Sequence, residues 1–300
     1  MVVKRLKDLE ALVKGREKKT LAVARGQDPH TIEAVARAVQ GGFVDAIMVG
    51  EREKIEALAR EKGIDPSIFE IVEEKDEATC GKKAVQLVHE GKAHIVMKGL
   101  ISTIYYMKAI LDKQNGLLPP GKILSHVTLV DAPRHHKLLI VSDVAVIPTP
   151  TLDQKIAMLN YCINVAHKLG IEKPKAAIIA ANEKVSEKVP ATVDAAIIST
   201  MARRGQIKGA IVDGPVALDI ALSKESAEIK GVESPVAGDA DILIFHDIET
   251  GNVFFKSVTY LGGGSIAAMV AGAKAPAILT SRSDTEDSKF YSILMAAAMA

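Results

Sequence analysis

Short apolar runs alternate with longer segments of helical period along the chain. "TLAVARG" (20–26), "DAIMVG" (45–50), "AHIVMKG" (93–99), "KAAIIAA" (175–181), "KGAIVDG" (208–214) and "ADILIF" (240–245) are too short for helices and read as buried strands. Between them lie helical stretches. Asp28-Pro29 supplies an N-cap and a proline at the first helical position. "EREKIEALAREKG" puts Ile55, Leu58 and Ala59 on one face, and "YYMKAILDK" continues the pattern. A long helix is expected from about 152 to 169, closed by Gly170. Strands alternating with helices predict parallel βαβ units, hence an α/β fold.

The prolines of "IPTPT" (147–151) interrupt this pattern and suggest a domain boundary. The expected organisation is a first α/β domain from 1–149 and 276–300, discontinuous, and a second from 150–275. The 300 residues suit one large or two ordinary domains. Aromatics are only 4% and Trp is absent, so the core must be Ala, Val, Ile and Leu, as parallel sheets covered by helices prefer. Net charge is +1, which recommends neither nucleic acid nor a membrane surface as partner. Cys80 and Cys162 form no framework and have no metal-ligand spacing. With no signal peptide and no run of about 18 apolar residues, a soluble cytoplasmic protein is expected.

Several strand ends carry candidate chemistry. "LTSRSDTEDSK" (279–289) follows an apolar run, and its Ser283-Asp284-Thr285-Glu286 matches the S-x-x-E capping box, predicting a helix from Asp284. The free N–H groups of such a helix start form an anion site, and Arg282 beside them adds a bidentate fork. An ordinary capped helix with a solvated arginine fits the same spacing. In "VMKGLIST" (96–103), Lys98 ends a strand where open α/β sheets bind ligands, and Ser102 or Thr103 caps the next helix; an exposed turn lysine is the plainer alternative. Asp213-Gly214-Pro215 follows another strand, so Asp213 either caps a helix starting at Pro215 or orients a hydroxyl or amine. After "ADILIF", Asp247, Glu249, Asn252 and Lys256 read as a solvated helix face.

"GGGSIA" (262–267) fits G-x-G-x-x-A but stands too late for a nucleotide-binding half; it reads as a helix end turning into the strand "SIAAMVAG". His135-His136 lack a third ligand at suitable spacing, so no metal is expected. No G-x-S-x-G elbow, Walker loop or H-E-x-x-H motif occurs.

Together these segments resemble the phosphate acyltransferases, the phosphate acetyltransferase and phosphate butyryltransferase family. The resemblance runs from about residue 18 to 295, on "VMKGLIST", "LSHVTLVDAPRHHKLLIVSDVAVIPTP", "PATVDAAIISTMARRGQIKGAIVDGPVALDIA", "GDADILIFHDIETGNVFFKS" and "GAKAPAILTSRSDTEDSK". Ser125-His126-Val127 and Thr280 to Asp284 look nearest the butyryltransferase branch. The resemblance implies two α/β domains of the isocitrate/isopropylmalate dehydrogenase-like type with a cleft between them, and a C-terminal strand and helix returning to the first. It implies a homodimer or higher homo-oligomer, no cofactor, and reversible conversion of a short-chain, butyryl-like acyl-CoA plus phosphate to acyl phosphate plus CoA.

It also implies catalytic roles for Ser281 and Arg282. An aspartate a few residues after that arginine is a family candidate for the base acting on the CoA thiol; the acetyl-branch spacing lands here on Ser288, leaving Asp284 and Asp287 as neighbouring candidates. Lys98, Ser102, Thr103, Ser125, Asp213, Asn252 and Thr280 complete the expected substrate-binding set. The rival readings are an acetyl-specific enzyme of the same family, a metal- and nicotinamide-dependent dehydrogenase of the same fold, and a non-catalytic binding protein.

Overall fold

The computed structural model describes residues 1–281 and 284–300. In chain order the elements are α1 (Asp8–Val13), β1 (Lys19–Ala24), α2 (Pro29–Gln40), β2 (Val44–Gly50), α3 (Arg52–Glu61), β3 (Glu70–Glu73), α4 (Glu77–His89), β4 (Ile95–Lys98) and α5 (Thr103–Ile110). Then come β5 (Ser125–Asp131), β6 (Leu139–Ser142), α6 (Leu152–Lys168), β7 (Lys175–Ile179), α7 (Pro190–Arg203), β8 (Ile211–Val216), α8 (Leu218–Leu222), α9 (Lys224–Lys230), β9 (Ile242–Ile244) and α10 (Ile248–Tyr260). The chain closes with β10 (Ser265–Ala271), β11 (Ala277–Ile278) and α11 (Glu286–Met299). No helix among the described residues is long and apolar enough to cross a membrane.

The chain forms two compact units, each an α/β layer structure. One comprises 7–124 with 267–300, the other 1–6 with 125–266. The expected boundaries were near 149/150 and 275/276, whereas contacts change over at 124/125 and 266/267. The proline segment at 147–151 lies inside the second unit, between β6 and α6, because β6 pairs with β9.

In the unit holding 7–124 the strand order is β3-β2-β1-β4-β11-β10. All its neighbours run parallel except β10 and β11. β1 and β4 are buried on both faces, which requires apolar side chains at consecutive positions and explains "LAVA" and "IVM". Asp28 caps α2 by accepting from the Thr31 amide at 2.9 Å, with Pro29 in the first turn.

In the other unit the order is β5-β6-β9-β7-β8. β6, β9, β7 and β8 are mutually parallel, while β5 and β6 are an antiparallel pair joined by a short connection. The core is aliphatic around Phe245, with Val141, Val216, Ile220 and Leu243 among its members. A capping box between Thr151 and Gln154 starts α6.

Two local expectations are corrected. Asp213 does not cap a helix at Pro215: β8 runs through Asp213-Gly214-Pro215, and the following helix starts at Leu218. β8 lies last in its strand order, and an edge strand tolerates proline. The last helix begins at Glu286 rather than Asp284, with Thr285 as its N-cap accepting from the Ser288 amide at 3.2 Å. Asp284 instead accepts from the Ser281 amide at 2.7 Å, ahead of the helix.

Candidate active site

β4 and β11 pair in parallel with Met97 opposite Ile278. The two strands therefore end at one edge, delivering Lys98 beside the segment Leu279-Thr280-Ser281. β1 lies on the other side of β4 with Ala24 opposite Lys98, so Arg25 leaves at the same edge. This is the carboxyl end of parallel strands, where open α/β sheets bind ligands.

Gly99 lets these chain ends approach. A Cβ there would lie 2.5 Å from the Arg25 carbonyl oxygen, which accepts from the Leu100 amide at 2.8 Å. Arg25 itself has a left-handed backbone, φ 57°. Its guanidinium meets Glu77 Oε2 at 3.0 Å, and Glu77 Oε1 accepts from the Ser102 amide at 2.6 Å. Ser102 caps α5 by accepting from the Ile104 amide, and Thr103, the first helical residue, is exposed. One ion pair thus ties the ends of β1, α4 and α5 together.

Polar groups are buried at this edge. Lys98 is 4% exposed, with its Nζ 3.4 Å from the Gly99 carbonyl oxygen. Lys289 on α11 is 3% exposed; its Nζ lies 3.4 Å from the Ser281 carbonyl oxygen and 3.7 Å from Asp28 Oδ2. Thr280 is 6% exposed, and its Oγ1, like Arg25 Nε, is buried with no partner among the described residues. Orphaned polar atoms beside buried cations are unusual in a folded interior and fit a place that receives an anionic group.

The other expected site residues are dispersed. Asp287 is exposed and bonded to the Arg37 guanidinium at 2.6 Å, next to Glu286 at 3.1 Å. Ser125 is fully buried; its Oγ donates to Asp143 Oδ2 at 2.9 Å and lies 3.0 Å from Ser142 Oγ. Asp143 also accepts from the amides of His126, Ala145 and Val146. Asn252 donates to the Val144 carbonyl at 3.0 Å, so Ser125 and Asn252 both brace the loop at 143–146. Asp213 accepts from Ser234 Oγ at 2.6 Å. Arg282 lies outside the described residues.

Arg25, Glu77 and Lys289 are not marked by the sequence reading, and Asp28 is marked there only as a cap. The proline after Asp28 announced only a cap, and Lys289 occupies an ordinary helical position. A lysine within an otherwise apolar helix face (Phe290, Ile293, Leu294, Ala297) was the available signal for the last of them. Both cysteines are buried, and burial pushes the Cys80 thiol up to about 11 and that of Cys162 higher still. Neither presents a thiolate near neutral pH.

The sequence matches the family described as Phosphate acetyl/butaryl transferase over residues 3–83 and 79–297. The chain belongs to this family. The phosphate butyryltransferase of Clostridium acetobutylicum is 44% identical over 299 residues, spanning 100% of this chain and 99% of that one. The phosphate acetyltransferase of Thermotoga maritima is 42% identical over 298 residues, covering 98% and 99%. Among solved structures, a branched-chain phosphotransacylase from Enterococcus faecalis superposes with a TM-score of 0.83 at 32% identity, over 94% of this chain and 98% of its own. The resemblance read from the segments above thus extends over the whole chain, and the α/β fold is that of the phosphotransacylases.

Proposed function

We propose that the chain catalyses the reversible reaction of a short-chain, butyryl-like acyl-CoA with inorganic phosphate to give acyl phosphate and CoA. The observation that carries this reading is the β4–β11 register, which brings Lys98 to Thr280-Ser281 beside buried, incompletely paired polar atoms in a member of this family.

In the direction of acyl-CoA formation, the CoA thiolate attacks the carbonyl carbon of the acyl phosphate. A tetrahedral oxyanion forms, the C–O bond to phosphorus breaks, and phosphate leaves with the bonding pair. A thiol pKa near 8.5 requires a base or a positive field to supply the thiolate. Lys98 and Arg282 offset the phosphate charge, and Lys289 holds the Ser281 carbonyl. Ser281 and Thr280 donate hydroxyl hydrogen bonds to phosphate or oxyanion oxygens. Asp284, which accepts from the Ser281 amide, and Asp287, which is engaged by Arg37, are the candidate carboxylates. Ser102 and Thr103 shape the α5 end of the site. Ser125 and Asn252 brace the loop at 143–146, and Asp213 holds Ser234. Direct transfer between bound substrates needs no protein nucleophile, in keeping with the two buried thiols. CoA and phosphate enter as substrates, with no further cofactor. A cytoplasmic homodimer or larger homo-oligomer belongs to the same reading.

The test mixes purified protein with butyryl-CoA and phosphate and follows free CoA with a thiol reagent, in chelator, beside acetyl-CoA, isobutyryl-CoA and a no-phosphate control. Phosphate-dependent release with butyryl-CoA or isobutyryl-CoA ahead is expected. Acetyl-CoA ahead makes the enzyme an acetyltransferase of the same family, a distinction of about 1–3 kcal/mol per methylene. No release with any acyl-CoA overturns the reading.

A further inference from the structure

The segment leaving β4 after Lys98 is held at each residue as far as α5, all within the unit of 7–124 and 267–300. The Gly99 amide donates to the Ala24 carbonyl at 3.0 Å, and the Leu100 amide to the Arg25 carbonyl at 2.8 Å. Ile101 is fully buried against Gly81 of α4, where a Cβ would lie 2.9 Å from Ile101 Cδ1. The Ser102 amide donates to Glu77 Oε1 at 2.6 Å, and the second oxygen of that carboxylate meets the Arg25 guanidinium at 3.0 Å. Arg25 thus grips the segment twice, by its carbonyl at Leu100 and through Glu77 at Ser102.

Stability alone does not account for this clasp. Backbone bonds and packing already fix 99–101, and water would satisfy a half-buried amide at Ser102. The two charged side chains are 23% and 30% exposed, so solvent screens much of their attraction. Arg25 is also held against its preferences: its φ of 57° is disfavoured for any residue with a Cβ, and its Nε is buried with no partner among the described residues. A disfavoured backbone kept at the carboxyl edge of a parallel sheet, where ligands bind, marks a functional constraint. What the clasp fixes is the placing of Lys98, just before the segment, and of Ser102 and Thr103, just after it.

We propose that Arg25 and Glu77 are positioning residues for acyl transfer: their ion pair sets the 99–102 segment so that Lys98 and the start of α5 meet the phosphate oxygens in the reacting geometry. This rests on the acyl-transfer reading. Neither side chain touches the reacting atoms, and no bond to either is made or broken. A misplacement of about 1 Å costs up to about 10²-fold, and Lys98 faces phosphate in that reading, so the effect falls on kcat/KM for phosphate.

Arg25→Gly removes the guanidinium, accommodates the left-handed backbone and keeps the carbonyl that accepts from Leu100. Its melting temperature is expected within about 3 °C of the wild type. Its kcat/KM for phosphate should fall about tenfold, with KM for acyl-CoA changed by no more than about twofold. Glu77→Ala should lose about as much. Glu77→Gln still offers the Ser102 amide an acceptor but has no charge for Arg25, and a loss of about threefold or more is expected. Because the two residues act as one clasp, Arg25→Gly combined with Glu77→Ala should lose no more than about twofold beyond either alone.

Unchanged kcat/KM for phosphate in folded Arg25→Gly, with or without a lower melting temperature, overturns the inference and leaves the pair as a structural tie. Full activity in Glu77→Gln, or losses that multiply in the double variant, would overturn it as well, since the ion pair would then not be the acting unit. Wild-type protein that releases no CoA in the presence of phosphate overturns the acyl-transfer reading itself. That result precedes any variant, so the two failures are distinct.

Discussion

Two charged regions of the molecule are satisfied to different degrees. At the amino ends of β6, β7 and β9, Asp239 is held by Lys137 at 2.7 Å, Lys175 at 2.8 Å and His136 at 3.2 Å, and Asp241 pairs with Lys137 at 2.7 Å. Every contact there is short. At the carboxyl ends of β4 and β11, Lys98 and Lys289 are more deeply buried, and Thr280 Oγ1 and Arg25 Nε are without a partner among the described residues. A fold built for stability alone pairs buried charge fully, because an unpaired polar group costs about 1–3 kcal/mol. The edge with the orphaned Thr280 Oγ1 and Arg25 Nε is therefore the one expected to take a ligand, and the carboxylates paired at the other edge are expected only to hold strands together, although His135 Nε2 beside them is also without a partner among the described residues.

Substitutions at the two edges should separate activity from stability. The largest effect is expected from Arg282→Ala. Losing a donor aimed at developing charge lowers turnover about 10²–10³-fold, read as phosphate-dependent CoA release by a protein whose melting temperature is unchanged. Full activity in that variant would remove the arginine from the mechanism.

Lys289→Met comes next. Replacing a buried charge by an apolar side chain of similar volume is often neutral or stabilising, so its melting temperature should hold or rise while kcat falls about tenfold. A variant that loses stability but not turnover would reduce Lys289 to a packing residue.

Asp239→Asn should do the opposite, leaving turnover alone and costing about 1 kcal/mol in denaturant unfolding, a figure held low because the side chain is 44% exposed. Burial works to raise the Asp239 pKa, but the hydrogen bonds from Lys137, Lys175 and His136 outweigh it, so the folded-state value lies below the ordinary one. The sign follows from that direction. The contribution is present above the unfolded-state pKa, near 3.9, and is lost as pH falls through the folded-state value. An equal loss of stability in the variant and the wild type on acidification would contradict this.

The smallest effect on turnover is expected from Cys80→Ser with Cys162→Ser. Both thiols are buried and held protonated, so the doubly substituted protein should keep activity within about twofold. A large loss at unchanged stability would point to a thiol role that the raised pKa values argue against.

Much of this was legible along the chain. The apolar runs mark β1, β2, β4, β7 and β9, since strands buried on both faces need consecutive apolar residues, and also β8, which is only partly buried. β5 and β6 did not emerge as a pair, because antiparallel pairing depends on a short connection as much as on composition. Asp213 looked like a cap because Pro215 follows it, and only the edge position of β8 shows why a strand accepts that proline.

Local sequence determined the fold class, the placing of most elements, and Lys98, Thr280 and Ser281 as residues at strand ends. Those properties depend on periodicity and on neighbours within a few positions. Tertiary structure alone decided which strand ends meet. The β4–β11 pairing, the Arg25–Glu77 tie, and the contact of Lys289 with the Ser281 carbonyl follow from strand order and helix docking. Lys155 finds Asp194 39 residues away and His246 91 residues away. No spacing rule spans such distances, because the contact exists only once the sheet has brought the helices and strand ends together.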